Sequence, residues 1–350
     1  MRFGIIVVAA AALAASPLRA QDNIPSDVMF VLKRSWIEQL LTGGPGGKSV
    51  GARWRSSFQM GEHSQVHAAG SDCELHVAAK LPGKKTLGTP SGIVIEPPNV
   101  CKFRIPQLAA GGQLGARWAG YFDDHVTGAS CEVTGFPRIF SEHAAGGKAN
   151  SSNPDHVVEI HPATSLSCDG ETLDFLPLIK VVPGMKRITD NSTAACLEQR
   201  RLFVRLRGGS TQPHYEFLEE GAKGSGGRCG NFVVVDAHVN KDYIRTLTNG
   251  NDHVALASVW VGESGPYPLK LYSYAGTPVD SAIAALLANP DEAASLELSL
   301  HGLLTYDYFT ITQKLQEDRG GGVFGWRETM RDFEEVSHPL ALVVFGEAVP

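Results

Sequence analysis

Short runs in which apolar residues alternate with polar ones recur along the chain, and this period of two predicts β-strands. In the first half the runs cover residues 52–59, 73–79, 92–96, 130–140 and 157–166. Between the third and fourth runs, residues 106–118 form a glycine-interrupted stretch in which we expect a short helix. Three strands, a helix and two further strands are the order of an OB-type barrel, which we place at residues 50–170.

A second set of strand-like runs follows a connecting segment at residues 171–194. These runs cover residues 202–206, 215–218, 231–239, 253–261, 269–274, 295–305 and 308–314, with a predicted helix at 277–288. We therefore expect a second β-rich domain at residues 195–315 and a C-terminal tail at 316–350. The predicted fold class is mainly β, and the sequence shows no convincing repeat between its two halves.

The N-terminal residues are patterned differently. Arg2 stands before an apolar stretch over residues 4–15, and Ala20 provides a small residue for cleavage, which is typical of a secretory signal peptide at residues 1–20. The stretch is shorter than the roughly 20 apolar residues that cross a bilayer, and no later stretch reaches that length. We expect a mature protein that is periplasmic or extracellular and has no membrane span.

Residues 21–49 are predicted to form an N-terminal helix and a glycine-rich linker. Pro25-Ser26-Asp27 is a helix start signal, and apolar residues recur at helical spacing through residue 41. Residues 43–49 resemble a phosphate-binding P-loop, but the glycine spacing is one residue short and the segment follows a predicted helix instead of a strand. We interpret it as a linker.

The cysteines agree with export. All six lie beyond the predicted signal: Cys73, Cys101, Cys131, Cys168, Cys196 and Cys229. An even number in an oxidising compartment predicts up to three disulfides. Many pairings are possible, and we favour the sequential set 73–101, 131–168 and 196–229 because each bond would join neighbouring predicted strands. The chain has no close Cys-x-x-Cys pair, which disfavours a structural zinc site or a thioredoxin-type motif.

Charge and motif content disfavour several classes of function. The formal net charge is -6, and removal of Arg2 and Arg19 with the signal makes it -8. A broad basic surface for nucleic acid is therefore not favoured. The Gly-x-Ser-x-Gly nucleophile elbow, the Ser-x-x-Lys set and the His-Glu-x-x-His zinc motif are all missing. The sequence therefore assigns no catalytic residue.

Two predicted strands carry a glutamate and a histidine at alternate positions. Glu74 and His76 share a face of the first strand, and Glu159 and His161 share a face of the second, because side chains alternate along a strand. If the strands are neighbours, the four side chains form a site for a divalent transition metal, which imidazole nitrogen and carboxylate oxygen bind. The pairs are also compatible with acid–base chemistry, with ligand binding without chemistry, and with a structural or solvated role.

Part of the sequence, residues 50–166, resembles a family of bacterial proteins with an OB-like β domain. The segments that carry the resemblance are Asp72-Cys73-Glu74-Leu75-His76-Val77, Val94-Ile95-Glu96-Pro97-Pro98-Asn99-Val100-Cys101, Val133-Thr134-Gly135-Phe136 and Glu159-Ile160-His161-Pro162. The family has an aspartate-x-His-Leu strand, a Glu-x-Pro-x-x-x-Cys segment, a Val-x-Gly strand and a closing Glu-[Leu/Ile]-His-Pro-Val strand. The resemblance implies a compact β domain and no particular activity. Cys73 and Ala163 depart from the family pattern, and the additional Cys73 supports a bond to Cys101.

We therefore expect an exported binding protein whose ligand is a glycan, a peptide or an oligonucleotide. The alternative is a metal-dependent hydrolase, such as a phosphodiesterase or nuclease. In that case the paired Glu-x-His strands would hold an ion that activates a water molecule. A structural envelope protein is a third interpretation, and the sequence leaves open whether the protein is an enzyme.

Overall fold

The computed structural model describes residues 30–33, 48–67, 73–81, 88–89, 92–108, 111–139, 150–207, 214–221, 228–247, 251–289, 293–317 and 333–348. Its strands are β1 (Phe30–Lys33), β2 (Lys48–Val50), β3 (Arg53–His63), β4 (Val77–Lys80), β5 (Gly88–Thr89), β6 (Gly92–Ile95), β7 (Ser130–Ile139), β8 (His156–Cys168), β9 (Glu171–Asp174), β10 (Arg201–Arg207), β11 (His214–Glu220), β12 (Phe232–Thr246), β13 (His253–Val261), β14 (Ser264–Ser273), β15 (Ser295–Tyr306), β16 (Glu334–Glu335) and β17 (Leu340–Glu347). Its α-helices are α1 (Leu114–His125), α2 (Asp190–Gln199), α3 (Pro278–Ala288) and α4 (Tyr308–Glu317).

Five strands of the first half form a ring of pairings. The order is β3-β4-β6-β8-β7, and pairing between β7 and β3 closes it. Strand β6 runs parallel to β8, and α1 lies between β6 and β7 along the chain. In β3 the alternate residues Trp54, Phe58 and Met60 are buried, as the period-two pattern requires. The prediction of a mainly β fold with an OB-like barrel is confirmed.

The second half repeats this topology. Strands β12-β13-β14-β17-β15 form a closed barrel, β14 runs parallel to β17, and α3 lies between β14 and β15. The two halves therefore share a strand order that no sequence repeat revealed. Barrel topology depends on where apolar positions alternate and where the turns fall, and different residues can satisfy both conditions.

The second barrel begins and ends at other residues than the sequence predicted. Strands β10 and β11 belong to a separate five-stranded sheet with β1, β5 and β16. Strand β17, which completes the barrel, lies inside the segment 316–350 that was expected to be a tail. The expected connecting segment 171–194 contains β9 and the beginning of α2. The predicted strand at 308–314 is wrong, because this segment is helix α4, and the Asp307 side chain accepts a hydrogen bond from the Phe309 N–H at its start.

The predicted N-terminal helix is wrong where the structure describes it. Residues Phe30–Lys33 form strand β1, paired on one side with β11 and on the other with β5. A short apolar run fits a strand or a helix equally well, and here pairing with β11 decides between them. The rest of that helix, most of the glycine-rich linker and the signal peptide lie outside the described residues.

Three disulfides join the six cysteines in the expected order, Cys73–Cys101, Cys131–Cys168 and Cys196–Cys229. The second bond joins directly paired residues of β7 and β8. The third ties α2 to the short turn Arg228–Gly230 that leads into the second barrel. None of the described helices combines the length and the apolar character needed to cross a membrane.

The two barrels pack against each other through an apolar cluster and a buried carboxylate. The rings of Phe136 and Tyr272, one from each barrel, lie 5.3 Å apart between centroids. Asp252, fully buried before β13, accepts hydrogen bonds from the Ala52 N–H at 2.9 Å and from Arg53 Nε and Nη2, both at 3.0 Å. The Ala275 N–H donates a further bond at 3.0 Å. One carboxylate therefore binds the beginning of the first barrel to the second.

We predict that Asp252→Asn destabilises the protein strongly. The substitution removes the negative charge opposite Arg53 and sets an amide group against donors, and breaking a buried ion pair in this way costs about 3–5 kcal/mol. Urea unfolding measures the free energy. The control is Glu335→Gln, which removes a contact of 3.7 Å with Arg201 between half-exposed side chains and should change stability by less than about 1 kcal/mol. Equal effects of the two substitutions would contradict the assignment.

Candidate functional site

The two Glu-x-His segments meet in the first barrel. Strand β6 lies between β4 and β8 in the sheet, so the residues that precede β4 lie near those of β8. His161 Nε2 in β8 lies 2.7 Å from Glu74 Oε1, although the residues are far apart in sequence. The two segments are therefore not on directly paired strands, but Glu74 and His161 are in contact across the position of β6.

Glu96, at the end of β6, stands between the two pairs. Its backbone N–H donates to Ile160 O at 3.0 Å and its carbonyl accepts from the Ala163 N–H at 2.9 Å, which fixes the residue beside β8. One carboxylate oxygen contacts His161 Nδ1, and the other lies 3.2 Å from His76 Nε2. Each ring nitrogen of His161 therefore faces a carboxylate.

Arg138 of β7 joins this group to a third glutamate. Its Nε donates to Glu159 Oε2, and its Nη2 lies 3.9 Å from Glu96 Oε2. The third guanidinium nitrogen, Nη1, donates to Gly230 O at 2.9 Å, immediately before the second barrel. The other oxygen of Glu159 lies 2.7 Å from His156 Nε2, and His156 Nδ1 donates to Pro154 O at 2.6 Å.

These side chains are buried because both faces of β8 are covered. Val158 and Ile160 belong to the main hydrophobic core, while Glu159 and His161 point to the opposite face by strand alternation. The second barrel covers that face, with the Phe232 ring 6.3 Å from the His161 ring. Only 3% of the surface of Glu74, of Glu96 and of His161 is exposed. The cluster lies in the junction between the barrels.

Charge pairing offsets the cost of this burial. Burial opposes ionisation of Glu96, but His161, His76 and Arg138 outweigh it and hold the pKa of Glu96 well below its usual value. Glu159 likewise has a lowered pKa, because Arg138 and His156 outweigh burial. Burial also opposes the charged form of His161, yet Glu74 and Glu96 raise its pKa to about 10.

The pKa of His156 is also set by burial and by a neighbouring carboxylate. Burial opposes charging of His156, but its hydrogen bond and charge interaction with Glu159 raise its pKa. The carboxylates of Glu74, Glu96 and Glu159 therefore face the guanidinium of Arg138 and the rings of His156 and His161, whose charged forms they favour. Groups of opposite charge lie next to each other throughout the cluster, which is the condition under which buried charges are tolerated.

A metal ion would find a smaller set of converging ligands than the sequence suggested. Glu74, Glu96 and His161 each offer one ligand atom, and these atoms lie within 4.8 Å of one another. Of the four residues expected from the sequence, Glu74 and His161 belong to this set. His76 reaches it only through Glu96, and Glu159 is engaged by Arg138 and His156.

Three residues of the cluster were missed as site residues. Glu96 belongs to the segments that carry the family resemblance, but a single glutamate after a strand is no signal by itself. Arg138 lies in a stretch of β7 whose residues 133–139 are all buried. An arginine within an apolar strand could have indicated a buried charged partner, because arginine is seldom fully buried unless it is paired. His156, the first residue of β8, is fully buried.

No family model, no curated protein and no solved structure matches the chain. The chemistry of the cluster therefore rests on its own geometry.

We predict that the stability of the protein falls as the pH rises from 7 to 9 in the presence of a chelator. The folded-state pKa of His161, about 10, lies above its ordinary value of 6.5. The stabilisation by its charge is therefore complete below pH 6.5 and is lost as the pH rises through about 10. The slope for one such group is at most about 1.4 kcal/mol per pH unit.

Urea unfolding at a series of pH values measures the slope, and His161→Gln should reduce it. The control is His238→Gln, which removes an imidazole that contacts Glu297 at the surface of the second barrel and should keep the wild-type slope. A wild-type stability independent of pH over this window would contradict the charged state assigned to His161.

Proposed function

We propose that this chain is an exported metal-binding protein, in which Glu74, Glu96 and His161 bind a divalent transition-metal ion between the two barrels. The observation that carries the proposal is the convergence of two carboxylates and one imidazole within 4.8 Å. The sequence predicts an exported binding protein, and this proposal names a metal ion as its ligand. A glycan, peptide or oligonucleotide as ligand stays a prediction, since no described contact favours one of them.

The ligand set fits a transition metal better than other ions. Imidazole nitrogen together with carboxylate oxygen suits zinc and its neighbours, whereas calcium and magnesium take oxygen ligands alone. Arg138 forms an ion pair with Glu96 at 3.9 Å and would stand beside that ligand in the surroundings of the ion. The ion competes with the proton that His161 holds, because a ligand nitrogen must be deprotonated.

Charge counting is compatible with a divalent ion. The carboxylates of Glu74, Glu96 and Glu159 need three positive charges, and Arg138 supplies one. A divalent cation supplies the other two, so His156 and His161 are then neutral. Both the ion-bound and the proton-bound cluster are thus neutral, and the buried junction tolerates either.

A metal-dependent hydrolase is the second candidate, and one observation favours it. Catalytic zinc sites have three protein ligands and keep one position for water, and three ligands converge in this cluster. The burial of all three ligands supports binding over turnover, since a phosphodiester must reach the ion for hydrolysis.

Export is supported by the N-terminal pattern and by the three disulfides. We predict that the mature protein, secreted by a bacterial host and purified outside the cytoplasm, begins at Gln21 because cleavage follows Ala20. N-terminal sequencing and intact mass measure this. An N-terminus at Met1 in the secreted fraction, or retention of all the protein in the cytoplasm, would contradict the proposal.

We predict that the mature wild-type protein binds one Zn²⁺ per chain after dialysis. His161→Ala should bind none, because it removes the only nitrogen ligand, and Glu74→Gln should weaken binding at least tenfold while keeping the side-chain size. Plasma mass spectrometry gives the stoichiometry and calorimetry gives the affinity.

The matched control is His238→Ala, which removes an imidazole beside Glu297 and should leave both quantities unchanged. No bound ion in the wild type, or equal binding in His161→Ala, would remove the metal site. Hydrolysis of bis(p-nitrophenyl) phosphate by the zinc-loaded wild type, lost in His161→Ala, would favour the hydrolase.

A further inference from the structure

Two histidines lie beside each other at the edge of the buried cluster. Residues 64–67 pair with residues 74–76 through bonds from the Ser64 N–H to His76 O at 2.8 Å and from the His67 N–H to Glu74 O at 2.9 Å. The His76 N–H also donates to Ser64 Oγ at 3.0 Å. This pairing brings the His67 and His76 rings to 4.4 Å between centroids, at an interplanar angle of 67°.

The histidine pair is more accessible than the cluster behind it. The His76 side chain is 15% exposed, compared with 4% for the His161 side chain. His67 is also partly exposed. The more accessible side of the cluster therefore carries imidazole rings, the side chains that bind transition metals most often.

Glu96 connects the two environments. Its Oε1 lies 3.2 Å from His76 Nε2, and its Oε2 contacts His161 Nδ1. A carboxylate has two oxygens that accept from different partners, so the same side chain touches the accessible histidine and the buried one. An ion handed from His76 to His161 would stay in contact with Glu96 throughout.

We propose that His67 and His76 form the port through which a divalent transition-metal ion enters and leaves the buried site, with Glu96 as the shared ligand. The inference rests on the proposed metal site and adds a second, outer binding position to it. The outer histidines bind the ion transiently and do not hold it in the final site. They therefore set the rates of uptake and release and leave the stoichiometry unchanged.

The experiment measures both rates on the mature full-length protein. Uptake is followed with Zn²⁺ held by a fluorescent indicator, and release by transfer of Zn²⁺ to 4-(2-pyridylazo)resorcinol. The variants are His67→Gln and His76→Gln, and at position 76 the glutamine side chain still offers an N–H to Glu96. We expect both rates to fall at least tenfold in each variant while one Zn²⁺ per chain still binds.

The control is His63→Gln, on the same hairpin. The His63 ring contacts Asp123 at 2.9 Å and Ser64 O at 2.8 Å, and it should exchange Zn²⁺ at the wild-type rates. Unchanged rates in His67→Gln and His76→Gln, with the wild type loaded, would overturn the port and leave the metal site. Loss of stoichiometry in His76→Gln would make His76 a ligand of the final site and overturn its role as a port. A wild type that binds no Zn²⁺ would remove the metal site and the port together.

Discussion

The buried ring of His161, with a carboxylate at each nitrogen, is the contact on which the rest of the cluster depends. Burial of an ion costs several kcal/mol unless its partners compensate, and here each partner needs another. Glu74 and Glu96 compensate the imidazolium, and Arg138 and His156 compensate Glu159 beside it. Removal of any one member would leave an unpaired charge in the junction. The cluster therefore behaves as a unit, and effects of single substitutions in it are not additive.

The second barrel excludes water from the charged cluster at the junction between the barrels. On an isolated barrel the outer face of β8 would meet water, and Glu159 and His161 would be ordinary surface residues. Phe232 covers the His161 ring, and Arg138 donates to Gly230 O just before β12. On another part of the interface, Asp252 holds Ala52 and Arg53. The first barrel supplies the charges and the second supplies the low-dielectric cover that strengthens the interactions between them.

The sequence predicted those parts of the site that depend on strand alternation. The shared face of Glu159 and His161 followed from period-two patterning, and the order of the strands favoured the disulfide pairing that the structure has. The contact of His161 with Glu74 was expected only if the two strands were neighbours, and in the structure β6 lies between β4 and β8. Arg138 and Glu96 could not be assigned in this way, because their partners lie on other strands and only the register between strands brings them together. The second barrel was only partly recognised for a related reason. Its closing strand, β17, follows a long interval after β15, and its pairing is non-local.

The same geometry accommodates either a structural ion network or a metal site. Three carboxylates accept either two imidazolium rings and Arg138, or a divalent ion and Arg138, and both assemblies have the same net charge. Charge balance alone therefore does not choose between them. The difference lies in the surroundings, since a purely structural network needs no route to solvent. Glu96 binds both the buried His161 and the accessible His76, which a network serving stability alone would not require. That shared carboxylate is the observation on which the proposed exchange of an ion rests.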